Sequence, residues 1–230
     1  MSIFAALEVY RDIDSRSAAL NMAIDEALLE IATEPTIRFY RWDRAAISFG
    51  YFGNFADVEN YSSERDIVRR WTGGGIVFHG EDLTYSIVIP ASDLAFGESS
   101  MSIYEKVHNA LKIALGSRAE LATVAALDER RTNNAAVIDR RYSECFSNAV
   151  RADVLIDGRK IAGAAQRRTR RGLLQQGSIQ DVDLPEGFEI SFASQLSDNC
   201  AHKTFDDGIL TRAREIADRK YATSAWLRRR

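Results

Sequence analysis

Three consecutive glycines, Gly73, Gly74 and Gly75, stand between Arg69-Arg70-Trp71-Thr72 and Ile76-Val77-Phe78-His79. A run without Cβ atoms lets main-chain N–H groups come close to a ligand, and Arg70 and His79 bring a cation and a titratable ring to its two ends. The spacing is neither that of a Walker loop, since no Gly-Lys-Ser/Thr follows, nor the Gly-x-Gly-x-x-Gly that opens a dinucleotide-binding helix. Taken alone, the run is either a binding loop or a tight turn.

Two further residues carry reactive groups. Lys160 lies two positions after Asp157-Gly158 and next to Ile161-Ala162-Gly163-Ala164. An amine held against small apolar residues is stripped of water and can take a proton or hold a carbonyl or phosphate oxygen, whereas a lysine beside a turn is otherwise a solvated charge. Cys145 sits in the polar stretch Tyr142-Ser143-Glu144-Cys145-Phe146-Ser147. An accessible thiol near an ammonium favours the thiolate that attacks thioesters, while a lone cysteine is otherwise a small buried hydrophobe. His79, after an apolar run, reads either as a structural residue or as part of the site. The three histidines and two cysteines have no zinc-ligand spacing, so no metal centre is expected.

The elements that must position these groups are legible from periodicity. Leu20, Ile24, Ala27, Leu28 and Ile31 recur at helical spacing over Ser17 to Ile31, with Pro35 beyond. Short segments at Ile37 to Trp42, Ala46 to Phe49, Ile67 to Arg70 and Thr84 to Ile89 have strand composition. Ser102 with Glu105 reads as a capping box for a second helix whose buried stripe is Ile103, Val107, Leu111, Ala114 and Leu115, closed by Gly116. From Val154 to Ile179 the pattern is an antiparallel meander, with Asp157-Gly158 as its first turn and Gly172 at its second. A closing helix is expected within Phe205 to Lys220. Helices set between groups of antiparallel strands imply an α+β class rather than strict βαβ alternation.

The 230 residues are 46% hydrophobic and 27% charged, with a formal net charge of −3, the balance of an ordinary globular chain with no global attraction to nucleic acid or an anionic membrane. No apolar run reaches the ~20 residues of a membrane span. Met1-Ser2-Ile3-Phe4 lacks the order of a secretory signal, and a cytoplasmic location is expected.

Read together, Asn21-Met22-Ala23-Ile24-Asp25-Glu26-Ala27-Leu28-Leu29, the Gly73 to His79 loop, Asp82-Leu83-Thr84-Tyr85-Ser86, Asp157 to Gln166 and Gln176-Gly177-Ser178-Ile179 resemble the lipoate protein ligase and octanoyltransferase family, within the biotin and lipoate ligase superfamily. The resemblance implies a mixed, largely antiparallel sheet with packed helices. It also implies a single catalytic domain over residues 1–230, without the C-terminal accessory domain that many ligases add. The similarity is to the cysteine/lysine-type octanoyltransferases in particular: Cys145 occupies the place of their nucleophile and Lys160 that of their functional lysine. The triple glycine is more typical of the ligases, because an arginine often stands at the position of Gly75 in these transferases.

The resemblance then implies an acyltransferase that moves an octanoyl or lipoyl group from an acyl carrier protein thioester to a lysine of a lipoyl-domain protein, such as glycine cleavage H protein or a 2-oxoacid dehydrogenase E2. No cofactor is implied for that reaction. The alternative within the family is an ATP- and Mg²⁺-dependent lipoate ligase, or an acyl-binding subunit of a bipartite ligase. Substrate binding is assigned to Arg70, Gly73, Gly74, Gly75, Val77, His79, Tyr85, Asp153 and Gly163, with Val77 and Tyr85 in the acyl tunnel. Asp153 is either a magnesium and adenylate ligand or a strand-entry residue capped by Arg151. The basic turn formed by Arg167, Arg168, Arg170 and Arg171 is a candidate docking surface for an acidic partner.

Overall fold

The computed structural model describes residues 2–123 and 149–229. Eleven strands fall into two sheets. They are β1 (Leu7–Arg11), β2 (Thr36–Tyr40), β3 (Ala46–Phe49), β4 (Asp66–Arg69), β5 (Ile76–His79), β6 (Leu83–Pro90), β7 (Ala119–Leu121), β8 (Val154–Ile156), β9 (Arg159–Arg168), β10 (Gly172–Ile179) and β11 (Cys200–Lys203). The large sheet has the order β11-β1-β2-β6-β10-β9-β8-β7, and the small one β4-β3-β5. In the large sheet β1 is parallel to both β11 and β2, and every other pairing is antiparallel. The mixed α+β architecture expected from the sequence is the one observed.

Five helices among the described residues cover the sheet: α1 (Ala18–Ile31), α2 (Ser100–Leu115), α3 (Phe188–Leu196), α4 (Asp207–Ile216) and α5 (Ser224–Leu227). Strand β6 shows how the two faces are divided. Leu83, Tyr85, Ile87 and Ile89 join one core with Ile103, Val107 and Leu111 of α2 and Phe192 of α3, whereas Val88 joins a second core with Met22, Ile24 and Leu28 of α1 and Ile209 and Ala213 of α4. All eight residues of β6 are therefore buried, because its period of two feeds a core on each side. The small sheet has its own core of Ile47, Phe49, Phe55 and Val58.

Helix α1 forms where its periodicity places it, with Ser17 as N-cap, its side chain accepting from the Leu20 N–H. The capping box placed at Ser102 is corrected. Helix α2 starts earlier, with Ser99 as N-cap accepting from the Ser102 N–H, and the Ser102 hydroxyl donates to Glu98. The meander is formed as read, and its first turn holds Asp157 and Gly158 at φ of 49° and 75°, the paired left-handed conformation of a tight hairpin. The closing helix is α4, which runs on into a π turn over Ala217–Tyr221.

Candidate active site

A narrow cavity opens between the α1 face of the large sheet and the glycine loop. Lys160, Gly163 and Ala165 of β9 line one side, Arg70, Gly74 and Val77 the other, and Met22, Trp42 and His79 are also in its wall. Gln176, Gly177 and Ser178 of β10 complete the lining.

Lys160 is held in the site by its counter-ion. Its ammonium is 2.8 Å from Asp153 Oδ2, with the lysine side chain 9% exposed and the aspartate fully buried. Asp153 also accepts from the Tyr104 hydroxyl and, at 2.7 Å, from the Val150 N–H. The apolar surround expected for the amine is thus corrected to a buried ion pair, whose separation by removal of one partner costs about 3–5 kcal/mol. Arg151 does not cap Asp153 and pairs with Glu105 instead. With three donors on its two oxygens, Asp153 is arranged as a clamp for Lys160. Gly163 is obligatory beneath this pair, since a Cβ there would lie 2.7 Å from Lys160 Cε and 2.8 Å from Nζ.

The glycine loop is tied to the site by Arg70. The guanidinium donates to the carbonyls of Gly73 at 3.1 Å and Gly75 at 2.8 Å, and through Nη1 to Ser48 Oγ at 2.7 Å. Planar trans peptides then turn the N–H of Gly74 and of Ile76 away from Arg70. Gly74 adopts φ of 82°, which only glycine takes without strain, and Gly50 packs so closely that a Cβ would lie 2.0 Å from the Gly74 carbonyl oxygen.

His79 is buried and stacked on Trp42 at 3.9 Å between ring centroids. Its Nδ1 is 2.8 Å from Asp82 Oδ2 and its Nε2 is 2.6 Å from Ser48 Oγ. Because Arg70 has only protons to give to Ser48, the serine hydroxyl donates onward to Nε2, and Nδ1–H donates to Asp82. Burial pushes the imidazole below its usual range, so this is a neutral, singly protonated ring near pH 7. Burial opposes ionisation of Asp82, yet bonds from His79, Ser178 and the Gly80 N–H hold it below the ordinary carboxylate range.

Of the residues assigned from sequence, the structure gathers Lys160, Asp153, Gly163, Arg70, Gly74, Val77 and His79 around this cavity, with Gly73 and Gly75 behind it on Arg70. Tyr85 is corrected. It points to the opposite face of the sheet, where its ring meets Phe192 edge-on and its hydroxyl is 3.0 Å from His108 Nε2. The neighbouring Thr84 lines the cavity in its place. Cys145 lies outside the described residues.

The basic turn does not form one patch. Arg168 donates to the carbonyls of Phe96 and Glu98, Arg171 pairs with Glu30, and Arg170 is exposed. Arg167 lies across the Tyr51 and Trp71 rings on the far side of the turn's strand.

Several site residues were not singled out from sequence. Asp25 accepts from Arg38, Tyr40, Ser86 and Gln176, and Gln176 Oε1 in turn accepts from Thr72, so the Asn21 to Leu29 motif holds the entrance of the glycine loop through β10. Asp25, Asp82 and Gln176 were inside recognised motifs and could have been found from them. Ser48 and Trp42 carry no local signal. Among the described residues, no group of three or more His, Cys, Asp or Glu is placed to hold a metal ion, and no helix is long and apolar enough to cross a membrane.

The family of the lipoyl protein ligase A/B catalytic domain matches residues 17–205. Octanoyltransferase LipM of Brevibacillus brevis is 30% identical, over 94% of this chain and 97% of its own length. Octanoyltransferase LipM of Staphylococcus aureus is 35% identical, over 76% of this chain and 67% of its own. A T. acidophilum protein assigned as a lipoate protein ligase, solved with bound lipoic acid, superposes with a TM-score of 0.71 at 21% identity, covering 98% of this chain and 99% of that one, and shares the fold.

Proposed function

The chain belongs to the lipoyl protein ligase A/B catalytic-domain family, and from that premise we propose that it is an octanoyltransferase, moving an octanoyl group from a carrier-protein thioester to a lysine of a lipoyl-domain protein. The observation that carries the reading is the Lys160–Asp153 pair, which fixes an ammonium over Gly163 at the wall of the cavity.

In this reaction the Cys145 thiolate attacks the thioester carbonyl, the carbonyl oxygen faces the Lys160 ammonium as charge develops on it, and the C–S bond breaks to release the donor thiolate, which is protonated from solvent. The ε-amine of the acceptor then attacks the acyl-Cys145 carbonyl. An amide forms, the amine's proton is passed to a base, and the Cys145 thiolate is released. Donor and acyl-enzyme are both thioesters and the product is an amide, so the sequence of steps draws on neither ATP nor a metal. Val77, Met22 and Trp42 offer the apolar wall along which the acyl chain lies. Acyl carrier protein is the proposed donor, and glycine cleavage H protein or a 2-oxoacid dehydrogenase E2 domain the proposed acceptor.

The test is intact-protein mass spectrometry after mixing with octanoyl carrier protein, in parallel with octanoate, ATP and Mg²⁺, for wild type, Cys145→Ala and Lys160→Met. A hydroxylamine-sensitive octanoyl adduct on the wild type alone, formed only from the thioester, is the expected result. An acyl-adenylate made from ATP regardless of Cys145 would overturn it in favour of a ligase.

A further inference from the structure

Beyond the cavity, on the same face of β9, the chain gathers cations that the proposed chemistry does not use. Strand alternation puts Gly163, Ala165 and Arg167 on one face, and the first two line the cavity. Arg167 lies with its guanidinium 4.5 Å from the Tyr51 ring centroid and 4.8 Å from that of Trp71. Lys220 Nζ sits 4.2 Å from Trp71 and 4.4 Å from Trp226, and Arg229 stands 4.6 Å from Tyr51. Trp71 is two residues before the glycine loop, so this platform adjoins the cavity wall.

Three cations meet here and one carboxylate, Glu26 on Lys220, answers them. Neither Arg167 nor Arg229 has an ion-pair partner among the described residues. Arg167 Nε is buried without a hydrogen-bond partner, and Nη1 makes a 3.3 Å contact to the Trp71 carbonyl. Burial pushes the Lys220 ammonium below its ordinary range, and the charges of Arg167 and Arg229 push the same way against Glu26. An unmet donor and crowded like charges are relieved by an anion.

We propose that Arg167, Lys220 and Arg229, laid on Tyr51, Trp71 and Trp226, bind the phosphate ester of a phosphopantetheine-type arm and so set the donor thioester at Lys160. The assignment rests on the octanoyl-transfer reading above. Reach favours this ligand: Gly163, under the Lys160 amine, and Arg167 are four residues apart, which is roughly 13 Å along a strand. An extended phosphopantetheine arm spans on the order of 15 Å from sulfur to phosphorus by ordinary bond lengths. Planar aromatic rings beneath the cations also suit the amide planes of the arm.

The probes are the unreactive S-octyl ethers of pantetheine and of 4′-phosphopantetheine, which differ only in the phosphate, titrated calorimetrically into wild type, Arg167→Gln and Arg229→Gln. The wild type is expected to bind the phosphorylated probe about 10-fold more tightly, as charge-assisted bonds to phosphate allow, and each variant to pull that ratio towards one. Arg229 is exposed, so its variant keeps the test free of any folding defect at Arg167. Equal affinity for the two probes in the wild type, or a ratio that neither variant changes, would overturn the site. ATP with Mg²⁺ binding the same arginines more tightly than the phosphorylated probe would reassign it to a nucleotide and overturn the donor assignment. Turnover separates the two readings: phosphate-dependent binding without transfer from octanoyl-4′-phosphopantetheine leaves the site standing and removes the transferase.

Discussion

At Gly163 one added carbon tests the whole arrangement around Lys160. The Cβ of alanine would fall on the last two atoms of the lysine side chain, the flexible end and not the backbone, so the lysine is pushed off Asp153 while the strand keeps its path. Gly163→Ala is expected to lower transfer at least 10-fold, roughly 1.4 kcal/mol in the barrier, and to lower the urea midpoint as well, because the buried carboxylate loses its counter-ion. Asp153→Asn should cost both, because it leaves the Lys160 charge in a nearly closed site without its counter-ion. Unchanged transfer in Gly163→Ala would show instead that the reaction does not depend on the placement of the Lys160 amine. These residues were legible in sequence as a motif, but their physical role was not. Asp153 is seven positions from Lys160 and across a hairpin, and nothing local says that the carboxylate turns inward to the amine. Tyr85 was assigned to the wrong face for a related reason. All eight residues of the strand are buried, so burial does not tell which of two alternating sets meets the ligand.

Among the elements, those with strong periodicity and a clear cap were read correctly, and those whose structure depends on distant partners were not. Helix α1 and the β8 to β10 meander are specified by their own residues. Strand β11, Cys200-Ala201-His202-Lys203, has no strand signature and is mostly exposed, and it exists through parallel pairing with β1 from the other end of the chain. Helix α3 is short and capped by Gly187 at φ of 72° with no side-chain cap bond, so its start carries no polar signal. Helix α2 shows how two adequate caps compete. Ser99 and Ser102 are both three residues before a backbone N–H that can donate the capping bond, and the chain uses the earlier one, where Glu98 engages Ser102 in the first turn and Lys106 in the second. Ser99→Ala is therefore expected to cost about 1 kcal/mol in urea unfolding, the usual loss for an N-cap. Ser102→Ala should cost less, since water can replace its bond to the carboxylate. The reverse order would place the helix start at Ser102, as the sequence pattern alone suggests.

At the scale of the molecule, the site is built where two cores meet across one sheet, and its stability should respond to acid through a histidine outside the cavity, behind the Lys160 counter-ion. His108 of α2 is fully buried, with Nδ1 2.7 Å from the Ala152 carbonyl and Nε2 3.0 Å from the Tyr85 hydroxyl. The carbonyl can only accept, so Nδ1 carries the proton and Nε2 accepts from Tyr85. Burial pushes this imidazole down to about 4. The unfolded chain takes up the proton near its ordinary value of about 6.5, so stability is full above that pH and declines as the pH falls towards the folded value, by about 3 kcal/mol in all. Burial of His79 adds to the loss with the same sign. Carboxylates contribute little above pH 5, since the shifted ones, Asp82, Glu30 and Glu98, lie below their ordinary range. Urea unfolding of the wild type at pH 7.5 and pH 5 should therefore differ by about 2 kcal/mol or more, and His108→Gln should flatten that difference whatever it costs at neutral pH. An unchanged slope in the variant would rule His108 out as the titrating group. Ala152, which His108 holds, immediately precedes Asp153, so the layer that loosens in acid is the one that keeps the Lys160 counter-ion in place, and activity is expected to fall with stability along this limb.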